Sequence, residues 1–228
     1  MAVLTDKQQD RRQLFLSWDI ETELPLEIET FHLERMDLQE ERIYYAFAYK
    51  DSVTGWEVRI LFDEETQDYM VKLYFRLFTI TEIELINSNY ERFKEDVVQL
   101  LPSIIKNRFF DRSKVSVLIG QNSFISWDYC KVMPLEIDEY KLTISPDKPI
   151  LGLNGSYVIA AYECIEKNTG ILFFYNMYRN EYYAELISHG IPGIVHQYDS
   201  RTINELEKNI QIYIYDDLEK LKTTMIEV

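Results

Sequence analysis

The chain has 228 residues, 46% of them apolar, and a net charge of −15. This is long and apolar enough to bury a core, which excludes general disorder, and no apolar run reaches the roughly 18–20 residues of a membrane span. The acidity is spread, −9 over residues 1–112 and −6 over 113–228, so nucleic-acid binding, which needs Lys and Arg against phosphate, is not expected. An acidic surface instead attracts basic partners. The N-terminal "MAVLTDKQQDRRQ" has no apolar region like that of a signal peptide, and no membrane association is expected. With only Cys130 and Cys164 there is no disulfide framework, which suits a reducing, cytoplasmic location.

Residues 13–33 are expected to form one or two strands broken at Pro25. "IYYAFAY" (43–49) and "WEVRILF" (56–62) flank a Gly-containing loop and predict a hairpin. Trp56, Val58, Ile60 and Phe62 alternate with Glu57, Arg59, Leu61 and Asp63, so one face is buried. In "YMVKLYF" (69–75), Tyr69, Val71, Leu73 and Phe75 share a side. Ser88 with Glu91 has the spacing of a helix-opening capping box. Phe93, Val97, Leu100 and Leu101 then form a helical stripe, and Pro102 ends or kinks that helix or starts a second one.

The second half repeats the pattern. Residues 123–144 predict one or two strands broken at Pro134, and "YVIAAYEC" (157–164) and "ILFFYNMY" (171–178) predict a hairpin. "EYYAELI" follows, and Gly190 and Pro192-Gly193 break the chain. Thr202 with Glu205 makes a capping box ahead of Ile203, Leu206 and Ile210. "ILFFYNMY" is apolar on both faces, so it is expected to be the most buried strand of the chain or to face a partner.

The likeness of the halves is visible in the letters. "FLSWDIETELPLEIETFHL" (15–33) and "FISWDYCKVMPLEIDEYKL" (124–142) agree at nine of 19 positions without a gap; average usage gives about one or two by chance. Further on, Thr54-Gly55 is matched to Thr169-Gly170, and "DYMVKLYF" (68–75) to "EYYAELIS" (181–188). The expected fold is α+β: a tandem duplication of an about 110-residue, mostly antiparallel β-sheet unit ending in a helix, β-β-β-β-α twice. Repeat 1 spans 1–112, repeat 2 spans 113–228, and the two pack as a pseudo-dimer. In architecture alone this resembles the Whirly and PUR-type single-strand nucleic-acid binders, which the charge opposes.

One stretch resembles enzyme chemistry. An apolar run leading into Asp19-Ile20-Glu21 resembles the first metal motif of proofreading-type 3′→5′ exonucleases, whose carboxylates hold two metal ions. Asn122 with Asp128 is a poor second motif, and Tyr213 with Asp217 a passable third. The repeat weighs against this, because Asp128 is the image of Asp19 while Glu21 faces Cys130. There is no glycine-rich phosphate loop, no G-x-S-x-G elbow, and no metal spacing among His32, His189 and His196. His189 and His196 are expected to be partly exposed structural residues beside the turn "GIPGIV".

No cofactor, metal or catalytic residue is therefore expected, and the function expected is non-catalytic. The chain is read as an acidic adaptor, immunity-type inhibitor or chaperone-like protein that engages another protein or itself. The repeated F-x-S-W-D reads first as structure, with Phe and Trp packing and Asp capping or bonding a backbone N–H at a strand end; in the functional reading the repeated pairs Trp18, Asp19, Trp127 and Asp128 are the candidate binding residues. The alternative is a small-ligand or enzymatic site in a groove between the repeats.

Overall fold

The computed structural model describes residues 5–112, 115–116, 119 and 124–223. The chain divides into two compact units, Met1–Phe110 and Asp111–Val228. Both are mixed α+β.

The first unit opens with helix α1 (Asp6–Leu16) and the single-turn α2 (Ile20–Glu23). An antiparallel meander follows: β1 (Glu27–Ile28), β2 (Phe31–Glu40), β3 (Ile43–Asp51), β4 (Glu57–Asp63), β5 (Asp68–Tyr74) and β6 (Thr79–Asn87), hydrogen-bonded in that order. Helix α3 (Tyr90–Ile105) closes the unit. Residues 13–33 were expected as one or two strands broken at Pro25; strands β1 and β2 do follow Pro25, but ahead of it the chain holds the end of α1 and the turn α2. α1 is a polar helix that buries only Phe15, so it carries no stripe to read. Its start is fixed by a capping box between Thr5 and Gln8.

The expected alternation holds. Trp56, Val58, Ile60, Phe62, Tyr69, Val71, Leu73 and Phe75 are all buried, beneath α1 and α3. Phe15 meets Tyr44 and Tyr69, Trp18 meets Phe47, and Tyr69 stacks on Phe93, with ring centroids 5.6, 5.7, 5.7 and 5.6 Å apart. Burying each such side chain stabilises by about 1.5–3 kcal/mol. On the opposite face Tyr45, Leu61 and Met70 form a smaller apolar cluster, and the Arg59 guanidinium lies over the rings of Tyr45 and Tyr74.

Two details of α3 differ from expectation. The cap is Asn89, whose side chain accepts from the Arg92 amide at 3.0 Å, one residue beyond the expected Ser88. The helix also continues through Pro102 to Ile105 and then into a π turn, Lys106–Phe110. The lost Pro102 N–H is outweighed by the buried stripe Phe93, Val97, Leu101 and Ile105.

The second unit carries β7 (Glu136–Ile137), β8 (Tyr140–Ile144), β9 (Ile150–Leu151), β10 (Ser156–Cys164), β11 (Thr169–Asn176), β12 (Glu181–Ser188), β13 (Ile191–Ser200) and helix α4 (Ile203–Thr223). Its sheet runs β7-β8-β10-β11-β12-β13, with β9 also paired to β10. Each unit thus holds a meander of six strands or more where four were expected. The extra strands are the two-residue β1, β7 and β9 and the edge strands β6 and β13. Pro192-Gly193, expected as a break, lies inside β13; an edge strand tolerates proline because no neighbour needs its N–H.

The most buried strand is β10, with eight consecutive buried residues from Tyr157 to Cys164, and not the stretch Ile171–Tyr178. In β11 both faces are covered from Ile171 to Phe173, Phe174 is half-buried and stacked on Tyr183 at 4.8 Å, and Tyr178 lies past the strand end and is exposed.

The internal geometry of the two units corresponds at several points. The β3–β4 ladder shifts register between Tyr45 and Phe47, and the β10–β11 ladder between Val158 and Ala160, 113 residues on in each case. Left-handed backbone recurs at Glu29 and Asp138, Gln67 and Asn180, Arg76 and His189. The Tyr49 hydroxyl donates to the Pro25 carbonyl at 2.6 Å, as Tyr162 does to Pro134 at 2.7 Å.

Candidate functional site

The repeated "F-x-S-W-D" does not form a strand end in either unit. Trp18 follows α1 inside the core, edge-on to Phe47 and Tyr90, with the Lys94 ammonium 5.7 Å from its ring. Its indole N–H has no acceptor among the described residues. Asp19 is exposed, sits at φ −82°, ψ 62° before α2, and makes no side-chain cap bond. Trp127 is half-buried and donates to Glu207 of α4 at 2.8 Å. Asp128, at φ −82°, ψ 66°, is exposed and pairs with Lys131 at 2.9 Å. Phe and Trp therefore pack in both units, while the aspartates meet solvent.

The exonuclease-like motifs lose their setting. Asp19 precedes the single turn α2, Ile20 and Glu21 lie in it, and Glu21 is held by Arg35 at 3.1 Å. Both sheets are antiparallel throughout. Asp217 is buried and already occupied by protein donors. Asn122 lies outside the described residues. No group of three or more His, Cys, Asp or Glu placed to hold a metal occurs among the described residues, and no helix there is long and apolar enough to cross a membrane.

The feature that stands out is the free edge of the second sheet. Ser188 pairs with Ile191 across a two-residue loop, His189-Gly190, in which both residues have positive φ (52° and 81°). That is the geometry of a tight hairpin whose twist matches its strands, and it needs glycine or a tolerant residue at each place. Ile191 and Ile194 are then 72% and 68% exposed, and Pro192 and Gly193 between them are exposed as well. The turn is thus His189-Gly190, and Ile191–Val195 beyond it is an apolar edge strand.

A bulge sets where this edge ends. Tyr182 pairs with Ser200 and Ala184 with Val195, which leaves His196–Asp199 looped out of the ladder. Asp217 of α4 secures the loop: it accepts from Gln197 at 2.6 Å and from the Tyr198 hydroxyl at 2.7 Å, and it pairs with Lys220 at 3.0 Å. Burial, with the Asp217 carboxylate beside it, holds the Tyr198 hydroxyl far above the usual phenol range. His196 lies in the same loop, exposed, with its Nδ1 2.9 Å from Asp199. Across the ladder from Ile194, burial pushes the Glu185 carboxyl upward. His189 has positive φ, and its Nδ1 lies 3.2 Å from the Ser188 hydroxyl.

Tyrosine contributes little contact surface. Tyr178, Tyr213 and Tyr215 are the large exposed ones, while burial raises the hydroxyl pKa of Tyr44, Tyr49, Tyr74, Tyr90, Tyr162 and Tyr182. No family model, curated protein or solved structure matches the chain.

Proposed function

We propose that the chain is a non-catalytic binding protein, built by duplication of one unit, that engages another protein through the free edge of its second sheet. The observation that carries this is the pair Ile191 and Ile194, 72% and 68% exposed on the terminal strand β13. Exposed apolar edges are usually blunted by charge or covered, because they invite pairing with another chain. Here the stretch Ile191–Val195 carries no charge, while the bulge beyond it is fixed by Asp217. Such an edge accepts an extended segment of a partner by strand addition, main chain to main chain, with the isoleucines supplying apolar contact. An adaptor, an immunity-type inhibitor or a chaperone-like protein would each use a surface of this kind.

The duplication is supported by the matched register shifts, the matched left-handed residues and the matched Tyr–Pro hydrogen bonds. The repeated aspartates, Asp19 and Asp128, stay available to solvent for a basic partner.

The test is capture from native extract with quantitative mass spectrometry, comparing the natural chain with Ile191→Lys/Ile194→Lys. One or more proteins held by the natural chain should be lost by at least tenfold from the variant, with circular dichroism unchanged. An identical set of captured proteins on both baits would refute the role of this edge.

A further inference from the structure

A second surface, in the first unit, has the opposite chemistry. Between α1 and the β4–β5 hairpin lies a cleft of about 610 Å³, within the range of small-molecule sites. Its wall carries Lys7, Asp10, Arg11 and Ser17 of α1 and its C-terminal cap, with Gln67 and Tyr69 opposite and Leu14 as an apolar patch. Lys7 and Arg11 are four residues apart on one helix face, so their charges point the same way.

Both cations lack a carboxylate partner among the described residues, in a chain whose net charge is −15. Their neighbour Arg12 is different: it is held by both oxygens of Asp37. Arg11 is nevertheless fixed in place. Its guanidinium carbon lies 3.5 Å from the centroid of the Phe62 ring and 5.1 Å from that of Tyr69, whose hydroxyl also interacts with it. Stacking of this kind covers the face of the guanidinium and leaves N–H groups on its edge for an oxyanion, which Arg binds in bidentate fashion. Lys7 adds a mobile point charge.

We propose that this cleft binds a small oxyanion-bearing molecule, a carboxylate or a phosphate. Arg11 holds the anion edge-on, Lys7 neutralises it, and Asp10 beside them limits the local charge to one net positive and accepts from a hydroxyl or ammonium on the same ligand. The site is independent of the β13 edge.

The experiment is a titration of the full ¹⁵N-labelled chain, followed by amide shifts, with inorganic phosphate, citrate and chloride as separate probes. Saturable shifts at residues 7–17 and 67–69 with phosphate or citrate, and not with chloride, are expected. Response to phosphate alone assigns a phosphate ligand, and response to citrate alone a carboxylate. Arg11→Gln should weaken the effect at least tenfold and Lys7→Gln several-fold, with Arg12→Gln unchanged. Should Arg11→Gln disturb the ring stack and the fold, Lys7→Gln decides. Absence of saturable shifts with both probes, equal shifts with chloride, or binding unchanged in the folded variants would overturn the proposal.

Discussion

The hydroxyl of Tyr49 donates to the carbonyl oxygen of Pro25 at 2.6 Å, and it does so from the centre of the first sheet to the chain just before β1. Tyr162 makes the same bond to Pro134 at 2.7 Å. Both tyrosines are fully buried, so each bond satisfies a group that has no access to water. It also fixes where the two-residue strands β1 and β7 enter their sheets.

Tyr49→Phe and Tyr162→Phe should therefore each destabilise the chain by about 1–2 kcal/mol, because the proline carbonyl is left without a donor. Urea unfolding measures this. The two variants should lose similar amounts; a neutral result for either would mean that the bond does not hold the strand entry.

At the positions that answer to Tyr198 and Asp217, the first unit has apolar residues. Counting 113 residues back gives Leu85 and Ile104, both buried. Asp217→Ala leaves the Tyr198 hydroxyl and the Gln197 amide without their acceptor and should cost about 1–3 kcal/mol. The double change Tyr198→Leu/Asp217→Ile puts the first unit's residues at these positions and should recover most of that loss in the same unfolding assay. Failure of the double variant to recover would mean the cluster is not interchangeable with apolar packing.

Acid should weaken the start of α4. The Glu205 carboxylate accepts from the amides of Arg201 and Thr202 at 3.0 and 3.2 Å, and these bonds hold its pKa below the ordinary glutamate range. A depressed folded pKa contributes stability above the unfolded value, and that stability is lost as pH falls through the folded value. In Glu205→Gln the stability profile on the acid side of the ordinary glutamate pKa should be flatter than in the natural chain. Parallel profiles would remove the cap from the account.

The sequence carried the sheets better than their edges. Alternation at Trp56–Phe62 and Tyr69–Phe75 and the stripe at Phe93, Val97 and Leu101 were legible because each buries a continuous face. The Thr202/Glu205 box was legible for the same local reason. The strands β1 and β7 were not, because their turns use Glu29 and Asp138 in left-handed backbone and so show no glycine. The match of Thr54-Gly55 to Thr169-Gly170 is two residues out of step with the ladders. There Lys50 pairs with Glu57 as Glu163 pairs with Gly170, so the left-handed Gly55 answers to the left-handed Asn168. The candidate edge was hidden because Pro192-Gly193 reads as a break and periodicity does not say which strand ends a sheet.

The binding account is tested most directly by hydrogen exchange on the complex captured from native extract, compared with the free chain. The amides of β13 on the outer side of the edge have no strand neighbour among the described residues. Partner binding by strand addition should slow exchange at least tenfold within Ile191–Val195 and leave the interior strand β10 unchanged. Protection confined to other elements, with Ile191–Val195 exchanging as in the free chain, would contradict it.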